Sequence, residues 1–215
     1  MSTALNLADL RREYTLAGLR RSTLESDPLA QFAKWFQQAK SGGVAEPNAM
    51  TLATANKLGQ PSARIVLLKA VDDRGFSFYT NYESRKGLEL SENPHAALNF
   101  FWPELERQVG IRGTCTRLSR EESEEYFKVR PMGNRMSAWV SRQTEVIPDH
   151  AELEERLREV EEKYGAGEVP MPPYWGGFVL QPTEIEFWQG RPNRLHDRFL
   201  YTRDGSSWRI DRLSP

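Results

Sequence analysis

The residues best suited to chemistry lie near the end of the chain, in the stretch WQGRPNRLHDRFLY (residues 188–201). Three arginines, a histidine and an aspartate stand there between a tryptophan and two further aromatic residues. Guanidinium groups bind anions and stack on flat rings, and an imidazole exchanges a proton near neutral pH. If the stretch is extended, Arg194, His196 and Arg198 share one face of a strand. An ordinary edge strand does not need this many charges, so the stretch is a candidate ligand-binding surface.

A second candidate is the stretch YTNYESRKGLEL, where a strand is expected to lead into a helix. Tyr79 and Thr80 end the strand, and Ser84 is placed to cap the helix. Arg85 and Lys86 then fall in its first turn. Cations there oppose the helix dipole by roughly a few tenths of a kcal/mol, unless an anion binds between them and the free N–H groups. The stretch therefore indicates either a phosphate site or two solvated cations.

Two other segments carry cations beside apolar or aromatic groups. The strand ARIVLLK alternates between two faces, one with Arg64, Val66 and Leu68 and the other with Ile65, Leu67 and Lys69. Its charges are either rim groups or the flanks of a cleft. In EYFKVRP, Tyr126 lies four residues before Arg130 on the same helical face, with Arg130 ending the helix. The pair offers neutral and charge-assisted donors to a phosphate monoester, but a surface ion pair explains Arg130 equally well.

The elements that must position these residues are mainly strands. Five runs rich in β-branched and aromatic residues predict consecutive strands, namely AMTLATAN, ARIVLLKAV, FSFYTN, AALNFFW and RQVGIRGTCTRL. Turns such as KLGQ and DDRG separate them, which favours an antiparallel barrel or sandwich. Three later runs, FVLQPTEIEFWQG, DRFLYTR and SWRIDRL, predict closing strands.

Helices are predicted between and before these strands. Asp27 and Pro28 are an N-cap and first helical residue, and open a helix that ends at a glycine pair. Ser119 and Glu122 form a capping box at the start of SREESEEYFKVR. PDHAELEERLREVEEKYG has an apolar stripe at helical spacing and stops at Gly165.

Composition excludes several classes of protein. A formal net charge of -1, from 29 Lys and Arg against 30 Asp and Glu, offers no global field for nucleic acid. No run approaches the roughly 18 apolar residues of a membrane span, and the N-terminus lacks a continuous apolar core, so we predict a cytoplasmic protein. The single Cys115 excludes an intrachain disulfide framework and is expected to be a buried strand thiol, and three scattered histidines predict no metal site. Neither GxGxxG nor GxxxxGKS/T occurs, which argues against a Rossmann or P-loop enzyme.

Taken together, the segments resemble the pyridoxine/pyridoxamine 5'-phosphate oxidase family, whose members use FMN to make pyridoxal 5'-phosphate. The matching stretches occur in the family's order from about residue 10 onward: LRREY, RIVLLK, FYTNYESRK, LERQV, YFKVRP, AWVSRQ, PPYWGGF, IEFWQG, RLHDRFLY and WRIDRL. The resemblance implies an FMN-binding split β-barrel, mainly β with flanking α-helices, that works as a homodimer with FMN at the subunit interface. It also implies an N-terminal arm or lid at residues 1–20 and a single domain at residues 21–215.

By position in the family's motifs, the resemblance implies two sets of ligand-binding residues. Those expected on FMN are Arg64, Ile65, Val66, Leu67, Leu68, Lys69, Tyr79, Thr80, Arg85, Lys86, Gln108, Gln143, Thr144, Trp188 and Arg198. Those expected on the substrate are Arg11, Arg12, Glu13, Tyr14, Lys69, Tyr126, Arg130, Asn134, Arg194, Leu195 and His196. Arg194 and His196 are the expected catalytic residues, covering the pyridine ring against the flavin. Several of these residues would come from the partner subunit.

The implied reaction passes a hydride from C4' of the substrate to flavin N5. Loss of a proton then gives the aldehyde from pyridoxine 5'-phosphate, or an imine that is hydrolysed from pyridoxamine 5'-phosphate. Dioxygen reoxidises the flavin and leaves as hydrogen peroxide, which completes the last step of vitamin B6 cofactor synthesis. The redox chemistry belongs to the cofactor, and the protein supplies orientation and electrostatics.

One segment departs from the family's pattern, the stretch RPMGNRMSAWVS on the expected substrate side. Asn134 stands where the family usually has serine, although its amide can still donate to a phosphate. The departure leaves open a second oxidase with the same fold and flavin, acting on another aromatic substrate as in the phenazine pathway. A third alternative is a non-catalytic carrier or sensor for flavin or pyridoxal phosphate. Such relatives usually lose the substrate-side cations, which this chain keeps.

Overall fold

The computed structural model describes residues 13–165 and 167–215 of the 215-residue chain. These residues form two compact units, each assembled from segments distant in sequence. The first unit contains the described residues up to Pro47 together with Phe100–Gly110 and Glu184–Pro215. The second unit contains Asn48–Asn99 and Ile111–Thr183. The division into an arm at residues 1–20 and one domain after it stays a prediction.

Five α-helices and nine β-strands lie within the described residues. The helices are α1 (Pro28–Ser41), α2 (Arg85–Glu92), α3 (Arg120–Lys128), α4 (Met132–Val140) and α5 (Ala151–Tyr164). The strands are β1 (Ala49–Ala55), β2 (Pro61–Leu67), β3 (Ala70–Asp72), β4 (Gly75–Asn81), β5 (His95–Trp102), β6 (Arg107–Arg117), β7 (Trp175–Gln189), β8 (Asp197–Asp204) and β9 (Ser207–Leu213). This composition confirms the prediction of a mainly β chain with flanking helices.

The strands follow the order β2-β1-β5-β6-β7-β4-β3 in one sheet, and β8 pairs with both β7 and β9. The pairs of β1 with β2 and β5, and of β4 with β3 and β7, are antiparallel. The register places Arg64 opposite Leu52 and Tyr79 opposite Gly177. Two strands that carry predicted ligand-binding residues, β2 and β4, are thereby fixed by their neighbours.

The run ARIVLLKAV is two strands, so the prediction of a single strand is wrong. The chain changes its partner strand between Leu68 and Lys69. Leu68 N–H still donates to Asn48 O at 2.8 Å beside β1, whereas Lys69 N–H donates to Ser77 O at 2.8 Å in β4. Lys69 therefore lies in the connection between β2 and β3, not at the end of a longer strand.

Side-chain caps confirm the predicted starts of three helices. Asp27 and Ser84 each accept a backbone N–H from the first turn, of α1 and α2 respectively. Ser119 and Glu122 form the reciprocal capping box of α3. Each cap satisfies donors that a helix terminus leaves free, which is why these starts could be located from local sequence.

The end of α3 differs from the prediction. The helix ends at Lys128, so Arg130 lies beyond it, with its N–H donating to Phe127 O at 3.2 Å. A further helix, α4, begins directly after Pro131 and has no counterpart among the predicted elements. The substrate-side departure at Asn134 is therefore part of a helix.

Aromatic side chains hold the first unit together. From α1, the ring of Phe32 lies 5.1 Å from Phe100, and Trp35 lies 5.2 Å from Phe187, measured between centroids. Tyr201 is buried on β8 at 5.4 Å from Phe187. Fully burying such side chains contributes about 2–3 kcal/mol each. The predicted closing strands are confirmed as β7, β8 and β9, and this core fixes them.

Three remaining predictions concern the single cysteine, a metal site and a membrane-spanning segment. Cys115 is buried in β6, as predicted, and burial raises the pKa of its thiol to about 12. Within residues 13–165 and 167–215, no group of three His, Cys, Asp or Glu side chains is arranged to hold a metal ion. None of the helices in those same ranges has the length and apolar character needed to cross a membrane.

Candidate active site

A cavity of about 460 Å³ in the second unit gathers most of the predicted ligand-binding residues of that unit. Its lining consists of Arg64, Ile65, Val66, Leu67, Lys69, Tyr79, Thr80, Lys86, Tyr126, Arg130, Asn134, Gln143 and Trp175. All of these except Trp175 were predicted to contact FMN or substrate. The cavity therefore brings cofactor-side and substrate-side residues to one place.

Local structure explains why these side chains meet. Tyr79 and Thr80 lie near the end of β4 at Asn81, and the Ser84 cap starts α2 only a few residues later. The first turn of α2 therefore returns over the end of the strand, and Lys86 Nζ reaches Thr80 Oγ1 at 3.0 Å. β2 supplies the run that begins at Arg64.

Lys86 forms no ion pair with any described residue. Its Nζ donates to Gln143 Oε1 at 2.8 Å, to Thr80 Oγ1 at 3.0 Å and to Ser84 Oγ at 3.2 Å, all of them neutral groups. Burial, and then the positive charge of Arg64, lower the pKa of Lys86 to about 8. An anion in the cavity would favour the charged form, because it supplies the missing opposite charge.

Arg64 is held by two hydroxyl groups and a buried carboxylate. Its Nη1 donates to Thr54 Oγ1 at 2.6 Å and to Leu52 O at 3.1 Å, and its Nη2 donates to Ser62 Oγ. Glu89 Oε2 lies 2.5 Å from each hydroxyl oxygen and 3.5 Å from Arg64 Nη2. Burial alone would raise the pKa of Glu89, but the bonds from Ser62 and Thr54 and the charge of Arg64 bring it below its usual value.

Aromatic rings form another part of the cavity wall. The ring of Tyr79 stacks on Tyr126 at 4.0 Å and on Trp175 at 5.4 Å between centroids. The guanidinium of Arg130 lies 4.6 Å from the Trp175 centroid, and burial lowers its pKa. Arg130 Nη1 is buried without a hydrogen-bond partner, and Arg130 forms no ion pair among the described residues. A buried N–H of this kind is costly until an acceptor binds it.

Trp175 has no predicted role, although it lies in the matching motif PPYWGGF. The glycines of that motif were the available signal. A Cβ at Gly177 would lie 2.5 Å from Leu118 Cδ1 and 2.8 Å from Tyr79 Cε1, so only glycine lets the strand approach the Tyr79 ring. The glycine of the motif is thus required for the stacking of Tyr79 and Trp175.

Two predicted cofactor residues of the second unit line a neighbouring groove, which shares Gln143 with the cavity. They are Arg85 and Thr144, and Thr144 Oγ1 accepts the N–H of Arg85 at 2.9 Å. Thr144 has a φ of 74°, which is rare for a β-branched residue, so this contact is made by strained backbone. Leu68 is 7% exposed and does not line the cavity.

In the first unit, three predicted residues form a cluster of rings. Trp188 and His196 lie 4.5 Å apart, and Tyr14 meets them edge-on at 5.6 Å and 5.9 Å respectively, between centroids. A Cβ at Gly190 would lie 2.7 Å from the Tyr14 ring, so this close approach needs glycine. The cluster fixes the orientation of the imidazole.

The protonation of His196 follows from its contacts. Its Nδ1 accepts the N–H of Arg191 at 3.2 Å. Burial, and then the charges of Arg194 and Arg198, lower the pKa of His196 below its usual value. The neutral ring therefore predominates at neutral pH and carries its proton on Nε2, which makes Nε2–H a hydrogen-bond donor.

Arg194 does not continue the strand that holds Arg198. Residues 192–194 form a 3-10 turn in which Asn193 and Arg194 have φ values of 55° and 61°. β8 begins only at Asp197, after His196. The prediction that Arg194, His196 and Arg198 share a strand face is therefore wrong, because the extended run starts too late.

Arg198 already has a partner within its own unit. Its Nε and Nη2 donate to the two carboxylate oxygens of Glu186 at 2.7 Å and 3.1 Å, and its Nη1 donates to Ser214 O at 3.0 Å. It lies opposite Trp188 in the β7–β8 ladder. Among the remaining predicted residues, Gln108 is half-buried, Glu13 and Leu195 are exposed, and Arg11 and Arg12 lie outside the described residues.

Known proteins resemble the chain over nearly its whole length. Residues 36–164 match the family model described as "Pyridoxamine 5'-phosphate oxidase", and residues 175–215 match "Pyridoxine 5'-phosphate oxidase C-terminal dimerisation region". A Salinibacter ruber protein named pyridoxine/pyridoxamine 5'-phosphate oxidase is 58% identical over 212 residues, covering 97% of this chain and 99% of that protein. A Nostoc punctiforme protein of the same name is 58% identical over 210 residues, covering 97% and 98%. The crystal structure of PhzG from Burkholderia lata with tetrahydrophenazine-1-carboxylic acid gives a TM-score of 0.84 at 33% identity, covering 90% of this chain and 95% of that one.

Proposed function

This chain belongs to the pyridoxamine 5'-phosphate oxidase family, and on that premise we propose that it oxidises pyridoxamine 5'-phosphate and pyridoxine 5'-phosphate to pyridoxal 5'-phosphate. FMN is the cofactor and dioxygen the final electron acceptor. The observation that carries the proposal is the cavity of the second unit, whose lining includes Lys69, Tyr126 and Arg130 as well as Arg64 and Lys86. One cavity thus offers cations for two phosphates.

The residues present fit the phosphate of FMN. Lys86 meets only neutral acceptors, and Arg64 stands close enough to lower its pKa. Thr80 and Gln143 add polar groups beside them. A phosphate bound here would also meet the N-terminus of α2, where backbone N–H groups and the helix dipole favour an anion. We assign the cofactor phosphate to these four side chains.

The substrate phosphate is assigned to Lys69, Tyr126 and Arg130. The unpaired Nη1 of Arg130 supports this most directly, because a phosphate oxygen would satisfy it. Tyr126 adds a neutral hydroxyl donor, and the amide of Asn134 in the same lining can donate as well. Cofactor and substrate phosphates then have separate sets of cations.

When bound, FMN takes a hydride from C4' of the substrate and passes the electrons to dioxygen. The protein's contribution is to bind and orient. Arg194 is assigned to the substrate's pyridine ring, on which a planar guanidinium can stack. His196 donates from Nε2 to the substrate, held in place by Trp188 and Tyr14. Neither side chain needs to change its charge for this role.

The proposal includes a homodimer with FMN at the subunit interface and a location in the cytoplasm. It is supported by the match of residues 175–215 to a model described as a dimerisation region. The partner subunit would then supply part of each site.

The test is turnover by the purified protein. Protein saturated with FMN and mixed with pyridoxamine 5'-phosphate should form the aldehyde and an equal amount of hydrogen peroxide. Absence of both products at saturating FMN would contradict the proposal. Flavin that binds but is never reduced by any pyridoxine vitamer would instead favour a non-catalytic binding protein.

A second candidate is an oxidase for another aromatic compound, favoured by the TM-score of 0.84 to PhzG and by Asn134 in the lining. Against it stands the substrate-side pair of Lys69 and Arg130, which an aromatic acid without phosphate would leave incompletely bound. The two candidates are separated by comparing kcat/KM for pyridoxamine 5'-phosphate and tetrahydrophenazine-1-carboxylic acid. A higher value for the second compound would select the second candidate.

A further inference from the structure

Glu89 is a buried carboxylate that has no part in the predicted ligand sets. It lies on α2 with 9% of its surface exposed, and it lines the neighbouring groove of Arg85 and Thr144 but not the 460 Å³ cavity. Its Oε2 nevertheless contacts Thr54 Oγ1 and Ser62 Oγ, both at 2.5 Å. The same two hydroxyl oxygens accept hydrogen bonds from the guanidinium of Arg64. Glu89 therefore stands directly behind a side chain that does line the cavity.

The direction of every hydrogen in this cluster is fixed. A guanidinium has only donors, so Thr54 and Ser62 must accept from Arg64. Each hydroxyl has a single hydrogen, and Glu89 Oε2 receives both. An ionised carboxylate can only accept, which makes it the partner this arrangement requires. Glu89 thus keeps the hydroxyl lone pairs turned toward Arg64.

The same carboxylate joins two elements of the proposed phosphate site. Glu89 lies three residues after Lys86, on the helix whose first turn is assigned to the cofactor phosphate. Arg64 comes from β2, and Thr54 from the neighbouring β1. The distance of 3.5 Å between Glu89 Oε2 and Arg64 Nη2 adds a direct charge contact. The cluster therefore fixes Arg64 relative to the start of α2.

We propose that Glu89 is a positioning residue for the cofactor, which orients Arg64 through Thr54 and Ser62 so that the guanidinium meets the phosphate of FMN. The inference rests on the proposed function, since it takes FMN as the ligand. It makes Glu89 a determinant of cofactor affinity without contact to cofactor or substrate. A residue that merely stabilised the fold would affect melting temperature and would act independently of Arg64.

The test measures the Kd of FMN by quenching of flavin fluorescence, which needs no turnover. Glu89→Gln keeps the shape of the side chain but replaces one acceptor by a donor, and is expected to raise the Kd about tenfold. Glu162→Gln, at an exposed position on α5 of the same unit, is the control and is expected to change the Kd less than about twofold. The KM for pyridoxamine 5'-phosphate at saturating FMN should stay within about twofold in both variants.

A double-mutant cycle separates positioning from general stability. On an Arg64→Met background, Glu89→Gln should change the Kd less than about twofold, because the side chain through which it acts is gone. An equal tenfold effect on both backgrounds, or no effect on the wild-type background, would overturn the proposal. Where Glu89→Gln also lowers the melting temperature of the apoprotein, a second variant covers that case. The double variant Thr54→Val and Ser62→Ala removes the two hydroxyls between Glu89 and Arg64. An unchanged Kd of FMN in that variant would overturn the proposal.

Failure of this inference is distinguishable from failure of the proposed function. Wild-type protein that binds FMN but produces no aldehyde would contradict the oxidase while leaving the cycle fully measurable. Wild-type protein that binds no FMN would overturn both. Normal turnover together with additive effects of Glu89→Gln and Arg64→Met would overturn the positioning role alone.

Discussion

Two regions of this molecule are rich in arginine and lysine, and they differ in whether those cations have partners. In the cavity of the second unit, Lys86 and Arg130 form no ion pair with any described residue. In the closing strands of the first unit, Arg198 holds both carboxylate oxygens of Glu186. Both regions are rich in cations, yet Lys86 and Arg130 lack the counter-ion that Arg198 has. A missing counter-ion indicates an anion site better than a run of basic residues does.

The closing strands satisfy most of their charges internally. Asp197 is buried and receives Arg212 Nη2 at 2.6 Å and the N–H of Leu19 at 3.0 Å, with Arg191 Nε at 3.5 Å. Arg194 differs from these arginines, because it is exposed and forms no ion pair with the described residues. Arg194 thus remains available for a ligand.

The largest expected effect comes from removing that arginine. Arg194→Ala should lower kcat with pyridoxamine 5'-phosphate about 100-fold, because orientation of the substrate ring is lost. The Kd of FMN should change less than about twofold, since Arg194 is assigned to the substrate. Arg209→Ala, which removes an exposed arginine paired with Asp211, is the control and should leave both values unchanged. Normal kinetics for Arg194→Ala would remove it from the site.

The next effect concerns the cavity. Lys86→Met should raise the Kd of FMN about 50-fold, because a charge-assisted bond to the phosphate is lost in a partly buried place. Titration of the apoprotein by flavin fluorescence gives this value directly. An unchanged Kd would mean that Lys86 does not bind the phosphate. It would contradict the inference that a cation without a counter-ion indicates an anion site.

A smaller effect should appear with pH. The pKa of Lys86 is lowered to about 8 in the protein without ligand, so the side chain is charged below that pH and neutral above it. A bound phosphate favours the charged form, and FMN carries two negative charges throughout this range, since its second phosphate pKa is about 6. Affinity should therefore fall about tenfold between pH 7 and pH 9. The same titration on Lys86→Met should be nearly flat, and an equal slope in both proteins would exclude Lys86 as the cause.

The smallest expected effect compares the stability of the two regions without ligand. Arg198→Met leaves the half-buried Glu186 without its partner, at a cost of about 1–2 kcal/mol. For a chain of this size the melting temperature should fall by about 3–6 °C. Lys86→Met should not lower it by more than about 2 °C, because no ion pair is lost. Scanning calorimetry of both apoproteins checks the contrast, and equal losses would contradict it.

The local parts of the structure could be predicted from sequence. Asp27, Ser84 and Ser119 act within one helical turn, so their caps are visible in a short stretch of residues. The family resemblance supplied most of the cavity lining, because those motifs are themselves contiguous. For Tyr126 and Arg130, the local helix pattern and the family resemblance were both needed. The helix α3 ends before Arg130, and the turn after it brings Arg130 to the site.

The rest depends on contacts between distant residues. Glu89 meets Thr54 and Ser62 across 35 and 27 positions of the chain, and no spacing rule reveals that meeting. The strand parity at residues 194–198 was wrong because two successive residues adopt positive φ, which alternation of side chains does not predict for Asn193 and Arg194. Trp175 was missed because its importance comes from the rings on either side of it in space.

The central claim is that Lys86, an unpaired cation of the cavity, binds the phosphate of FMN. Its most direct test is to titrate the apoprotein with FMN and with riboflavin, which differ only by that phosphate. We predict that FMN binds at least about 100-fold more tightly, and that most of this preference disappears in Lys86→Met. Riboflavin binding within about threefold of FMN would contradict the claim, because the cavity would then recognise the flavin without its phosphate.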